Sequence, residues 1–160
     1  MDDSKEPGKI LHIITKATWG GPQVYVYDLI TEAKRLSFQS ILVYGAEGEL
    51  SDKVELLTVP TIHVPSLERN INIFSDFQTF FTVYKILHKE RPDVVHVHDS
   101  KAGFIGSLAA RFARVPKIIF TAHGWSHNES RPEWQKIIFR FLEWCTILFS
   151  TATIAVSETM

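Results

Sequence analysis

The segment from Arg91 to Trp125 constrains the fold more than any other part of this 160-residue chain. It reads R-P-D-V-V-H-V-H-D-S-K-A-G-F-I-G-S-L-A-A-R-F-A-R-V-P-K-I-I-F-T-A-H-G-W. Two short apolar runs, Val94–Val97 and Lys117–Thr121, have the length and β-branched content of buried strands. Between them Lys101–Ala113 is rich in small residues (Ala102, Gly103, Gly106, Ser107, Ala110), which suits a helix lying close on a sheet. A strand–helix–strand unit of this size reads as a parallel pair with a crossover helix. Both strands end in polar residues: His98, Asp99 and Ser100 after the first, His123 and Gly124 after the second. Ligands of open α/β sheets bind just outside the carboxyl ends of the strands, so the same segment supplies a candidate site.

The flanking sequence repeats the unit. Lys9–Thr15 is a near-continuous apolar run and a buried strand. Gly20-Gly21-Pro22 opens a helix that runs to about Leu36, with Pro22 suited to its first turn. Ser40–Tyr44 is a second strand, Gly45–Gly48 a loop, Ser51–Leu57 a short helix and Thr61–Val64 a third strand closed by Pro65. Phe74, Phe77, Phe81, Tyr84 and His88 recur at helical spacing, which predicts an amphipathic helix over 73–90 with these residues on its apolar face. In the helix predicted over 132–149, Trp134, Ile137, Ile138, Phe141, Leu142, Cys145 and Leu148 share one face, and Glu133, Lys136, Arg140 and Glu143 mark the other. Core packing is the expected use of that apolar face, with a second domain or a membrane surface as the alternative. Ala152–Val156 is a sixth strand. Strands that read as covered on both faces, alternating with helices, predict a Rossmann-like, doubly wound parallel sheet in three α/β/α layers.

Size and charge narrow the function. The length suits one domain, residues 9–160, after a short disordered lead-in over 1–8 that lacks the apolar stretch of a secretion signal. Seventeen basic and eighteen acidic side chains nearly cancel, which argues against nucleic acid as a partner. A single cysteine, Cys145, cannot form an internal disulfide and fits a reducing, cytoplasmic setting.

Each candidate site residue has a plain structural use beside its chemical one. Gly20 and Gly21 sit where a strand turns into a helix, whose free N–H groups can hold a phosphate; the plain use is a turn needing positive φ at one glycine. His96 and His98 alternate onto one strand face, so with His123 they could share a metal ion. No fuller ligand motif accompanies them, and no metal is expected. For His12, His63 and His96 the expectation is a histidine satisfied by a backbone partner. Ser100 is a candidate N-cap. Lys101 opposes the helix dipole there, so it either meets a bound anion or swings into solvent. His123, followed by Gly124 and Trp125, is the leading candidate, because an imidazole at a strand end can donate to a ligand oxygen or take a proton near neutral pH.

Taken in order, K-I-L-H-I-I-T with Gly20-Gly21, the Arg91–Arg111 block, V-P-K-I-I-F-T-A-H-G-W and T-I-A-V-S-E resemble the N-terminal half of retaining GT-B fold glycosyltransferases of family 4, closest to the capsular and exopolysaccharide type. The resemblance implies two Rossmann-like domains facing a cleft, the first holding the acceptor and the second most of the nucleotide sugar. It implies that Gly20-Gly21 approaches the donor diphosphate and that His123 lies beside the donor sugar as the catalytic residue. His98, Asp99, Ser100, Lys101, Gly124 and Trp125 would line the acceptor side. It further implies a glycan or lipid-linked acceptor, no cofactor, and possible peripheral contact with the inner face of a membrane.

The chain departs from the family in having Pro22 and Gln23 after the glycines, and it stops at Met160, before an E-x7-E region and a nucleotide-binding domain. It should therefore need a C-terminal domain or a partner chain for turnover. Two alternatives remain open at this level: a stand-alone flavodoxin-like binding module, and a metal-dependent hydrolase using His96, His98 and His123.

Overall fold

The computed structural model describes residues 8–67, 72–123 and 132–156. Six strands and five helices alternate: β1 (Lys9–Lys16), α1 (Gly21–Arg35), β2 (Gln39–Ala46), α2 (Glu49–Leu56), β3 (Thr61–His63), α3 (Ile73–Glu90), β4 (Val94–His98), α4 (Ser100–Phe112), β5 (Lys117–Ala122), α5 (Glu133–Phe149) and β6 (Ala152–Ala155). The strands form one sheet in the order β3-β2-β1-β4-β5-β6, and every pairing is parallel. This is the doubly wound, Rossmann-like arrangement expected from the sequence. Right-handed crossovers running outward in opposite directions from β1 and β4 put α1 and α2 on one face and α3, α4 and α5 on the other. Between β1 and β4 lies the switch point at which such sheets bind ligands.

Alternation along the strands divides the core in two. Leu11, Ile13, Val95, Val97, Ile118 and Phe120 face the α3–α5 layer, where they meet Val83, Leu87, Ala102 and Ala109. Ile14, Leu42 and Tyr44 face Val26, Ile30, Leu50 and Val54 of the α1–α2 layer. The small residues of α4 do what their size suggests. A Cβ on Gly106 would stand 2.8 Å from Val97 Cγ1 and 3.0 Å from Ile13 Cδ1, so the helix sits on the sheet at a distance only glycine allows.

Two helices reverse the faces expected of them. On α3 the buried residues are Thr79, Val83 and Leu87, whereas Phe74, Phe77 and Phe81 are exposed. On α5 the buried residues are Phe139, Glu143, Cys145 and Thr146; Cys145 keeps its expected inward place, while Trp134, Ile137, Phe141, Trp144 and Leu148 face outward. Polar anchors explain the rotation of α5. Ser100 Oγ donates to Glu143 Oε1 at 2.6 Å, and Thr146 Cγ2 packs against Gly103, 3.1 Å from where a Cβ would be. Phe139, Glu143 and Thr146 follow i, i+4, i+7 spacing and form the inward stripe in place of the larger apolar row. Smaller differences concern α2, which starts two residues before Ser51, and β4, which extends to include His98.

Candidate functional site at the carboxyl ends of the strands

Four histidines gather on the α1 side of the sheet. His12 on β1 lies opposite His96 on β4 in the register, and His98 lies opposite Thr121 on β5. His123 follows β5. His12 Nδ1 stands 3.5 Å from His98 Nε2, and His98 Nδ1 stands 3.3 Å from His123 Nε2. His96 Nε2 pairs with Thr121 Oγ1 at 2.7 Å. The expected backbone partners for His12 and His96 are therefore replaced by side chains, because parallel register places imidazoles and a hydroxyl on one face of neighbouring strands. His63 does find a carbonyl, with Nε2 2.7 Å from Gly45 O, but lies at the surface.

Tyr25, on the second turn of α1, closes over this group. Its ring meets His123 edge-on at a centroid distance of 5.1 Å and His98 at 6.3 Å. The contact joins the start of the first helix to the end of β5. Burial keeps the imidazoles neutral, since the charged form is penalised away from water. Burial, reinforced by His96, pushes His12 down to about 3. Burial and then His123 push His96 down to about 4. His98, fully buried, is driven well below the usual histidine range by burial and its three imidazole neighbours. Half-buried His123 is lowered by burial alone.

Asp99 ties β1 to α4. Its Oδ2 accepts from the Thr15 N–H and Oγ1–H at 2.8 and 2.9 Å. Its Oδ1 accepts from the N–H groups of Lys101 and Ala102 at 3.1 and 2.9 Å. Asp99, not Ser100, is thus the N-cap, and it holds φ 66° and ψ 161° to do so. That conformation is strained for any residue but glycine and is characteristic of functional sites. Burial raises its carboxyl while the four hydrogen bonds pull it back.

The remaining expected site residues are spread differently. Ser100 points to Glu143, and Lys101 is buried with Nζ 2.6 Å from Asp76 Oδ1 on α3. Lys101 does not swing into solvent, because α3 supplies a carboxylate beside it. No described glycine has positive φ. Gly20 is extended at φ −178° as the N-cap of α1, so turn geometry does not explain the glycine pair. A Cβ on Gly21 would meet nothing within 4 Å, and the space over this helix start is open. Gly124 and Trp125 lie outside the described residues.

The arrangement offers open backbone N–H groups at α1, one half-buried imidazole and a rigid buried support. Tyr25, Thr15 and His12 were not singled out from the sequence as site residues. Only the pairing register, which puts His12 beside His96, could have signalled the third. Among the described residues His12, His96 and His98 present ligand atoms within 4.8 Å of one another, a set any metal ion would have to share with the hydrogen bonds above. His123 is not part of that set, so the hydrolase triad of His96, His98 and His123 is not assembled.

The profile of Glycosyltransferase Family 4 matches residues 19–160. A UDP-Gal:alpha-D-GlcNAc-diphosphoundecaprenol alpha-1,3-galactosyltransferase from Escherichia coli is 32% identical over 131 residues, covering 75% of this chain and 34% of the relative. The capsular polysaccharide biosynthesis glycosyltransferase CapM of Staphylococcus aureus is 31% identical over 98 residues, covering 61% and 26%. The chain thus spans about a third or less of these relatives' length. Among solved structures, Anabaena Alr3699/HepE in complex with UDP-glucose superposes with a TM-score of 0.72 at 16% identity, over 94% of this chain and 38% of that one. Acinetobacter baumannii MurG gives 0.69 at 12% identity, over 96% and 43%.

Proposed function

Because the chain belongs to Glycosyltransferase Family 4, we propose that it forms the acceptor-side half of a retaining glycosyltransferase. A second, nucleotide-sugar-binding domain or partner chain closes against it. The observation that carries this reading is the junction of Tyr25 and His123, which joins the open glycine start of α1 to an imidazole at a strand end. A donor diphosphate would lie against Gly20 and Gly21, where N–H groups and the helix dipole favour an anion. His123 would reach the donor sugar. Asp99, Ser100 and Lys101 shape the acceptor side by fixing the start of α4. The acceptor class is a glycan or lipid-linked glycan in polysaccharide assembly, as the names of the relatives suggest. The reaction needs no metal and no organic cofactor.

The test is transfer of radiolabelled sugar from a nucleotide sugar, beginning with UDP-galactose, to a polyprenyl-diphosphate-linked acceptor. The enzyme is this domain joined to its donor-binding domain. His123→Ala should lower turnover about a hundredfold, the scale for losing one preorganised donor. Unchanged turnover would remove His123 from the chemistry, and inhibition by a chelator would reject the metal-free reaction.

For a lipid-linked acceptor the domain would work at the cytoplasmic face of a membrane. No described helix is long and apolar enough to cross one. Helices antiparallel to the strands begin at the carboxyl edge of the sheet, so exposed Phe74 and Phe77 on α3 and Trp134 and Ile137 on α5 stand near the cleft. Arg140 follows on α5. Such an exposed aromatic surface suits a headgroup interface. Sedimentation with anionic phospholipid vesicles should retain the protein, and Phe77→Ser with Trp134→Ser should release it; equal binding by the variant would dismiss this face.

A further inference from the structure

His12, His98 and His123 form a line of imidazoles that runs from the centre of the sheet to its carboxyl edge. A neutral imidazole carries one N–H, so each link must have a donor on one side and a bare nitrogen on the other. The line therefore has two polarities. In the first, Nδ1–H of His12 donates to His98 Nε2, Nδ1–H of His98 donates to His123 Nε2, and His123 carries its own proton on Nδ1. In the second every proton is reversed, and His123 presents a bare Nδ1.

The inner end separates the two. His12 Nε2 is fully buried and, among the described residues, has no hydrogen-bond partner. The second polarity would leave an N–H there; in protein backbones buried N–H groups without an acceptor are rarer than carbonyls without a donor, and the same preference is taken for the ring. The first polarity leaves only a bare nitrogen. We infer that His123 meets its ligand as a hydrogen-bond donor through Nδ1–H, and that His98 and His12 are positioning residues that set this tautomer. His96 stays outside the line, since its Nε2 is engaged by Thr121. The low basicity of all four rings keeps the line neutral at physiological pH.

The consequence rests on the proposed position of His123 beside the donor sugar: the imidazole would hold a sugar or phosphate oxygen and would not remove the acceptor's proton. Long-range proton–nitrogen correlation NMR of this chain, labelled with nitrogen-15 and free of substrate, reads the tautomers directly. It is independent of the transfer assay. Protonated Nδ1 and bare Nε2 are expected at His12, His98 and His123; a protonated Nε2 at His123 overturns the inference. His98→Phe removes the ring that donates to His123 Nε2, and half-buried His123 should then become a mixture of both tautomers. A folded His98→Phe protein that keeps a single Nδ1–H form at His123 would refute the positioning role. One-to-one zinc uptake by the unaltered chain, measured by calorimetry, would also overturn it, because the ion would claim the same bare nitrogens.

Discussion

Asp99 supports the sharpest test of how this site is built. It caps α4 with one carboxylate oxygen and holds the end of β1 with the other, in a conformation that costs about 1–3 kcal/mol for a residue with a Cβ. Asp99→Ala removes the cap, worth about 1 kcal/mol. It also leaves the Thr15 N–H without its acceptor, at about 1–3 kcal/mol. The backbone strain persists, so the loss should be about 3 kcal/mol, or about 10 °C in Tm for a domain of this size. Asp99→Gly loses the same hydrogen bonds but relieves the strain. Against that relief stands about 0.5–1 kcal/mol for the looser unfolded chain. Glycine should therefore be more stable than alanine by about 1 kcal/mol, although glycine is the poorer residue nearly everywhere else. Urea denaturation followed by circular dichroism gives the order. Aspartate above glycine above alanine is expected, and alanine equal to or above glycine would refute the argument that φ 66° at this position stores strain.

Stability should fall steeply in mild acid. His12 and His96 are depressed to about 3 and about 4 in the folded state, so unfolding takes up protons below the ordinary histidine pKa of about 6.5. Their contribution is complete above that pH and is lost on acidification down to the folded values, at about 1.4 kcal/mol per histidine per pH unit; denaturation midpoints flat between pH 7 and 5 would contradict it. Gly21→Ala should leave stability within about 0.5 kcal/mol of the original, since nothing lies within 4 Å of the added methyl. In the proposed two-domain enzyme it should raise KM for the nucleotide sugar about tenfold, or ~1.4 kcal/mol; an unaltered KM would remove the donor from this loop. Gly106→Ala should destabilise by about 1 kcal/mol, overpacking against Val97 outweighing the gain in helix propensity, and a stabilised variant would show that the α4–sheet contact yields.

The sheet was legible because each strand is a short apolar run bounded by turn residues, and the alternation of strands and helices leaves few topologies. Residues at strand ends were legible as a group for the same reason. What each one touches was not. Whether Lys101 faces a ligand, water or Asp76 depends on where α3 begins. Ser100 gives up the cap to Asp99 because only the aspartate reaches both α4 and Thr15. The imidazole line needed the register of β1 against β4, which no local pattern encodes.

The reversal of α3 and α5 has a different origin. Periodicity reveals that a helix has a stripe but not that the richest stripe faces the core. The surface of α4 offered to its neighbours is made of small residues, and Thr79 and Val83 on α3 or Glu143 and Thr146 on α5 fit the layer where Phe77 or Trp144 would be too large. The aromatic rows are left outside, with Phe74 90% and Trp134 60% exposed. Burying one such side chain is worth about 1.5–3 kcal/mol, so this domain forgoes a stabilisation its sequence could supply. Aromatic residues near the carboxyl edge on two helices, both beside the cleft end of the sheet, are explained by contact with something other than this domain's own core. Under the proposed function, a membrane carrying a lipid-linked acceptor would provide that contact.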